Sequence, residues 1–242
     1  MAGHSKWNNI KRKKEATDSA RAKIFTKIGR EFMVCVKEGG ADPNSNTKLR
    51  ELIAKAKSNN VPNDNIERML KKAAGGDDKA SYEANIYEGY GPSGVAVIVE
   101  ALTDNKNRTA GDMRHYFDKY GGNLGNTGCV SFMFTRKGII IIENTGLDED
   151  KFIDDVTDSG ALDYTIDDEY AEVETEPNDV NAVRESLEGK GYKILSAEAE
   201  MLPATYVALT DEEAIKKMNL LLEHLEDNDD VQRVYHNWDE EV

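Results

Sequence analysis

The sequence predicts an α+β chain: a basic helical bundle first, then an α/β sandwich into which a second α/β sandwich is inserted. Three observations lead there. Apolar residues recur at helical spacing through the first 75 positions. After Gly75-Gly76-Asp77-Asp78 the period changes to strands alternating with helices. Beyond Pro203 come one helix and one strand, the pieces that the first sandwich lacks. The expected domains are 1–77, 78–136 plus 204–242, and 137–203.

The bundle reads as three helices. Ala20 to Glu38 carries Ile24, Ile28, Phe32 and Cys35/Val36 about once per turn and stops at Gly39-Gly40, a C-terminal cap. Thr47 to Asn59 places Leu49, Leu52, Ile53 and Ala56 at i, i+3, i+4 and i+7. Asp64 to Ala74 repeats the pattern with Ile66, Met69, Leu70 and Ala73, and Asp64 with Glu67 reads as a capping box.

Tyr82 to Tyr87 and Val95 to Thr103 then read as strands around the glycine-rich turn Gly89 to Gly94. Val95-Ala96-Val97-Ile98-Val99 is apolar on both faces, so it is expected as a central, covered strand. Arg108 to Tyr120 is expected as a helix ending at Gly121-Gly122, and Val130 to Phe134 as a strand. Gly138 to Glu143, Leu147 to Ser159, Ala161 to Asp167, Tyr170 to Thr175, Asn178 to Gly189 and Tyr192 to Met201 follow as β-α-β-β-α-β. That order is the ferredoxin-like sandwich. Thr210 with Glu213 opens the last helix as a capping box, and Val231 to Tyr235 is the last strand; together they complete the first sandwich.

Charge is divided along the chain. Residues 1–75 hold 17 Lys/Arg against 8 Asp/Glu, a balance of +9, within a chain whose net charge is −15; the remainder carries −24. One end attracts a polyanion and the rest repels it, and screening over ~8–10 Å lets the two fields act separately. The strongest motif is Gly3 to Lys14, where Lys6, Lys11, Arg12, Lys13 and Lys14 surround Trp7. Lys offers a point charge to phosphate, Arg a planar fork, and Trp a ring to stack on a base. Arg21, Lys23, Lys27 and Arg30 carry the basic character along the first long helix, giving +7 over the first 30 residues. Lys55, Lys57, Arg68, Lys71 and Lys72 form a possible second basic face; alone, such residues are solvated helix surface. Nucleic acid, as DNA or ribosomal RNA, is the expected partner.

Other chemistries find little support. His4, His115, His224 and His236 are scattered and form no Ser/His/Asp or Cys/His arrangement, so no catalytic residues, cofactor or metal site is expected. Gly89 to Gly94 lacks the phosphate-loop spacing. Thr103 to Thr109 lies where α/β folds often bind ligands, with Asp104 or Asn105 as a helix cap the plainer explanation. Glu226-Asp-Asn-Asp-Asp230 reads as a solvated acidic face. Cys35 and Cys129 lack metal or disulfide spacing and are expected as small, mostly buried hydrophobes in a reducing compartment. No apolar run nears the ~18 residues of a membrane span, and the start lacks a secretory h-region. A cytoplasmic protein without membrane contact is the expectation.

Gly3-His-Ser-Lys-Trp7 with Asn9-Ile10-Lys11 and Lys13-Lys14, Leu49-Arg50, Pro62-Asn-Asp-Asn-Ile-Glu-Arg68, Tyr87-Glu-Gly-Tyr-Gly-Pro92, Thr103-Asp-Asn105 with Asn107-Arg108-Thr109, and Gly121-Gly122 carry a resemblance. Across nearly its whole length the chain resembles the YebC/PmpR family of probable transcriptional regulators, whose mitochondrial relatives include the translational activator of cytochrome c oxidase. Arg12 and Cys129 stand where many relatives have His and Ser. The resemblance implies a helical domain, two ferredoxin-like domains, a cytoplasmic location and gene regulation. It implies either a DNA-binding transcriptional regulator or a ribosome-associated factor that relieves stalls at proline-rich sequences. A third reading is a protein-interaction module whose acidic body mimics a polyanion. No helix-turn-helix signature is evident, which weakens sequence-specific reading of the major groove.

Overall fold

The structure, a computed structural model, describes residues 18–75 and 81–239, and the chain divides into two compact units. One comprises Phe134–Ala204; the other holds the described residues before and after it.

In the larger unit, helices α1 (Asp18–Gly39), α2 (Thr47–Ser58) and α3 (Asn63–Ala74) close over Ile28, Phe32, Cys35, Val36, Leu49, Leu52, Ala56 and Ile66. These are the predicted stripes, with Gly40 taking the left-handed conformation (φ +84°) that ends α1. Asn46 holds the first turn together. Its Oδ1 accepts from Leu49 N at 3.1 Å to cap α2, while its Nδ2 donates to Cys35 O and Gly40 O. The expected capping box at Asp64 does not form. Helix α3 begins one residue earlier behind Pro62, whose carbonyl accepts from Ile66 N at 3.1 Å with no side-chain cap.

The rest of this unit is a four-stranded antiparallel sheet in the order β3-β1-β2-β9, from β1 (Glu83–Tyr90), β2 (Ala96–Thr103), β3 (Asn123–Leu124) and β9 (Val231–His236). Strand β9 thus lies beside β2, which is central and buried from Ala96 to Val99, as is Val95 before it. Helices α4 (Lys106–Lys119) and α7 (Glu212–Asp227) supply Met113, Phe117, Met218, Leu221 and Leu225 to the core. Strand β1 runs through Gly89 because β3 crosses closely there: a Cβ at Gly89 would stand 2.5 Å from Asn123 O. Helix α7 is capped by Asp211, whose Oδ2 accepts from Ala214 N at 2.9 Å, rather than by Thr210. Asn237, fully buried, exchanges bonds with Ala96 and fixes β9 to β2, while its Nδ2 reaches Thr205 O. The short strand β8 (Val207–Ala208) pairs in parallel with β10 (Trp238–Asp239).

Val130 to Phe134 is not a strand. Gly128 N, Val130 N and Ser131 N all donate to the carboxylate of Glu88, 3 % exposed on β1, at 2.8–3.0 Å. Donors spent on a side chain cannot join a ladder, so Ser131–Met133 is a single 3₁₀ turn and the next strand starts at Phe134.

In the Phe134–Ala204 unit, β4 (Phe134–Glu143), β5 (Asp163–Ile166), β6 (Tyr170–Thr175) and β7 (Ile194–Pro203) form an antiparallel sheet ordered β5-β6-β4-β7. With α5 (Glu149–Asp158) and α6 (Val180–Gly189) between the strands, this is the ferredoxin-like order. The helices cover one face through Ile140, Ile142, Phe152, Val156, Val173, Val183 and Leu187. On the opposite face Ile139, Ile141 and Tyr170 are buried as well. Among the described residues no helix is long and apolar enough to cross a membrane.

Candidate nucleic-acid interface

Helix α1 presents two faces. Ile24, Ile28, Phe32 and Cys35 turn toward the bundle core, and Lys23, Lys27 and Arg30, at i, i+4 and i+7, form a second stripe. That stripe meets the corner where α7 ends and β9 begins. Lys23 Nζ lies 2.7 Å from Asp227 Oδ1, and Lys27 Nζ donates to Glu226 O, an end carbonyl of α7, at 2.6 Å. A cation there also complements the negative end of the helix dipole. Arg30 donates to Asp230 and, at 3.2 Å, to Leu102 O, and its guanidinium lies 5.3 Å from the Tyr82 ring centre. The acidic run Glu226 to Asp230 is therefore no mere solvated face: it receives three α1 cations. The residues that pair are about 200 positions apart, so no local pattern signals the contact.

Asp230 is the hub. Besides Arg30 it accepts from Arg108 Nη2 at 2.8 and 3.1 Å, Thr109 Oγ1 at 2.7 Å and Thr103 Oγ1 at 3.2 Å. Burial pushes its pKa up, but the donors from Arg108, Thr109 and Arg30 outweigh it and hold the carboxyl at about 2. The Thr103-to-Thr109 motif is thereby explained. Asn105 is the cap of α4, accepting from Arg108 N at 3.1 Å; Asp104 pairs with Arg108; and Thr103 and Thr109 supply the two hydroxyls. What the motif binds is the chain's own Asp230.

The remaining predicted site residues are placed as follows where the structure describes them. Lys6, Trp7, Lys11, Arg12, Lys13 and Lys14 lie outside the described residues. Arg21 is exposed near the start of α1, off the Lys23–Arg30 stripe. Lys55 pairs with Glu31 across α1 and α2 at 2.8 Å, both half-buried, so it ties helices together. Lys57, Arg68, Lys71 and Lys72 are exposed on α2 and α3, with Arg68 donating to Asn65 Oδ1 at 2.6 Å. Arg30, at 15 % side-chain exposure against 4 % for Asp230, is withdrawn from the surface. Of the two cysteines, Cys35 is buried and Cys129 half-buried.

Beside the hub lies an open cleft of about 450 Å³, lined by Lys23, Arg30 and Arg108 and by Asp104, Asp112, Asp227, Asp229 and Asp230 with Asn228. Five carboxylates against three cations make it a poor anion site. Among the described residues no group of three or more His, Cys, Asp or Glu side chains is placed to hold a metal ion.

Residues 5–76 match the TACO1/YebC protein N-terminal domain, and residues 82–238 the TACO1/YebC second and third domain. A "probable transcriptional regulatory protein" of Acetivibrio thermocellus is 59 % identical over 98 % of this chain and 99 % of its own length. One of Ruminiclostridium cellulolyticum is 57 % identical over 100 % of this chain and 98 % of its own. The crystal structure of a conserved hypothetical protein from Aquifex aeolicus superposes with a TM-score of 0.83 at 42 % identity, covering 93 % of both chains. Sequence and fold agree, and the chain belongs to the TACO1/YebC family.

Proposed function

We propose that the chain is a regulator of gene expression, not an enzyme, that holds a nucleic acid through the cations of its first 75 residues, with DNA as the first target. The observation that carries this reading is the charge polarity: +9 on residues 1–75 of a chain whose net charge is −15. The regulatory names of relatives above 55 % identity support it. The contacting groups are Lys6, Lys11, Arg12, Lys13 and Lys14 with Trp7, joined by Arg21 and by exposed Lys57, Arg68, Lys71 and Lys72.

One observation favours a second reading. Helix α1 buries its apolar face in the bundle and turns its Lys23–Arg30 stripe against the α7–β9 corner, where Arg30 is enclosed and Lys23 and Lys27 are engaged, so neither face offers bare donors to a groove. Contact then falls on phosphates, which fix position without reading sequence and which ribosomal RNA offers equally. A ribosome-associated factor acting at proline-rich stalls uses the same surface.

Salt titration tests the shared mechanism. Five neutralised phosphates give a slope of log K on log salt of about −4.5. Neutralising Lys11 to Lys14 together should weaken DNA and ribosome binding alike; a flat salt response, or unchanged binding in that variant, rejects the reading. Ribosome profiling of a deletion strain separates the two targets, since pauses at proline runs rise only if the ribosome is one.

A further inference from the structure

We propose that the Glu226–Asp230 corner is a built-in competitor for the basic end of the chain, occupying Lys23 and Lys27 in place of phosphate. This rests on the preceding functional reading and adds a control to it.

One stripe of α1 divides its labour. Arg30 and Asp230 are nearly out of solvent, and Thr103, Thr109 and Arg108 complete the carboxylate's bonding. A pair so enclosed does not exchange with an external anion, because separating it leaves a buried charge unmatched. One and two turns earlier the same stripe behaves differently. Lys23 and Asp227 are 37 % and 62 % exposed, and exposed ion pairs are worth little and are screened by salt. Lys27 faces a carbonyl at the end of α7, a partial negative charge. The inner pair therefore fixes the bundle to the sheet, while the outer two cations meet an anionic surface that a phosphate can displace.

Nucleic acid held by the first residues of the chain thus extends along α1 only by expelling Asp227. The corner lowers affinity for any polyanion and leaves the fold intact, a check on indiscriminate binding within a protein whose remaining charge is already repulsive.

The test uses the full chain and a DNA duplex of about 20 base pairs and arbitrary sequence, read by fluorescence anisotropy at about 0.1 M salt, where the screening length is ~10 Å. Asp227→Asn should tighten binding roughly two- to fivefold, the range an exposed pair allows. Glu212→Gln removes the same charge at the far end of α7, roughly 22 Å away along the axis, and should change affinity little. The Lys23→Gln/Asp227→Asn double variant should return to wild-type affinity, since the gain runs through Lys23. Equal tightening in Asp227→Asn and Glu212→Gln would reduce the effect to overall charge and overturn the proposal. So would a gain that persists without Lys23, or no gain at all. If neutralising Lys11 to Lys14 abolishes binding while Asp227→Asn changes nothing, the competitor falls and the binding surface stands. If the wild type and every variant fail to bind, both fall.

Discussion

Asp230, in the unit holding the bundle and first sheet, and Glu172, in the Phe134–Ala204 unit, are almost equally hidden, at 3 % and 5 % exposure. Their surroundings differ. Asp230 accepts from Arg30, Arg108, Thr103 and Thr109 and is held ionised, with its pKa down at about 2. Glu172 sits on β6 between Ile141 and Thr165 of the flanking strands, and its Oε2 meets no donor among the described residues. Burial, reinforced by nearby Glu174 and Asp163, pushes its pKa up to about 7. Depth alone does not set the charge of a buried acid; the donors aimed at it do.

The largest effect is expected at Asp230. Asp230→Ala leaves Arg30 facing a buried space without a counter-charge and should cost about 3–5 kcal/mol in urea unfolding. Loss below 1 kcal/mol would mean that water already satisfies the arginine. Glu172 should move the other way. Its folded pKa lies above the ordinary 4.5, so the penalty is absent below pH 4.5 and grows as pH rises through 7. Glu172→Gln, a mimic of the neutral acid, should therefore stabilise the unit by about 2–3 kcal/mol at pH 8.5 and hardly at pH 4. Stabilisation of equal size at both pH values would refute the assignment.

Acid titration sharpens the contrast. With a folded pKa of about 2 against an ordinary 3.8, Asp230 contributes stability that is fully present above pH ~4 and lost as pH falls through 2. That contribution, about 2 kcal/mol, should vanish from the difference between wild type and Asp230→Asn over this window. The smallest effect belongs to Glu88, buried like Glu172 but supplied with three backbone donors that bring its pKa down against the pull of burial. Glu88→Gln keeps one acceptor oxygen and should cost about 1–2 kcal/mol, with faster amide exchange at Val130 and Ser131. Unaltered exchange there would show that the loop holds itself.

Periodicity made much of the molecule legible. The stripes of α1, α2 and α3, the covered run Val95 to Val99, and the β-α-β-β-α-β order of the last sandwich all follow from spacing, because burial on one side of a helix or strand imprints its period directly. Caps were harder. Asp211, beside the expected Thr210, captured the amide of Ala214, and neighbouring residues of similar chemistry compete on geometry that a sequence does not carry. Val130 to Phe134 has strand composition but lost the amides of Val130 and Ser131 to Glu88, some forty residues earlier.

By itself, then, the sequence determined where the charges lie along the chain, most of the helices and strands, and which of their faces are apolar, since all three are local sums over neighbouring residues. How each cation is engaged within the fold was decided only in three dimensions. Lys23, Lys27 and Arg30 look alike in sequence, yet one is enclosed by Asp230 and two meet an exchangeable corner. A charge's value depends on what faces it and how much water remains between them, and both are properties of the folded contact.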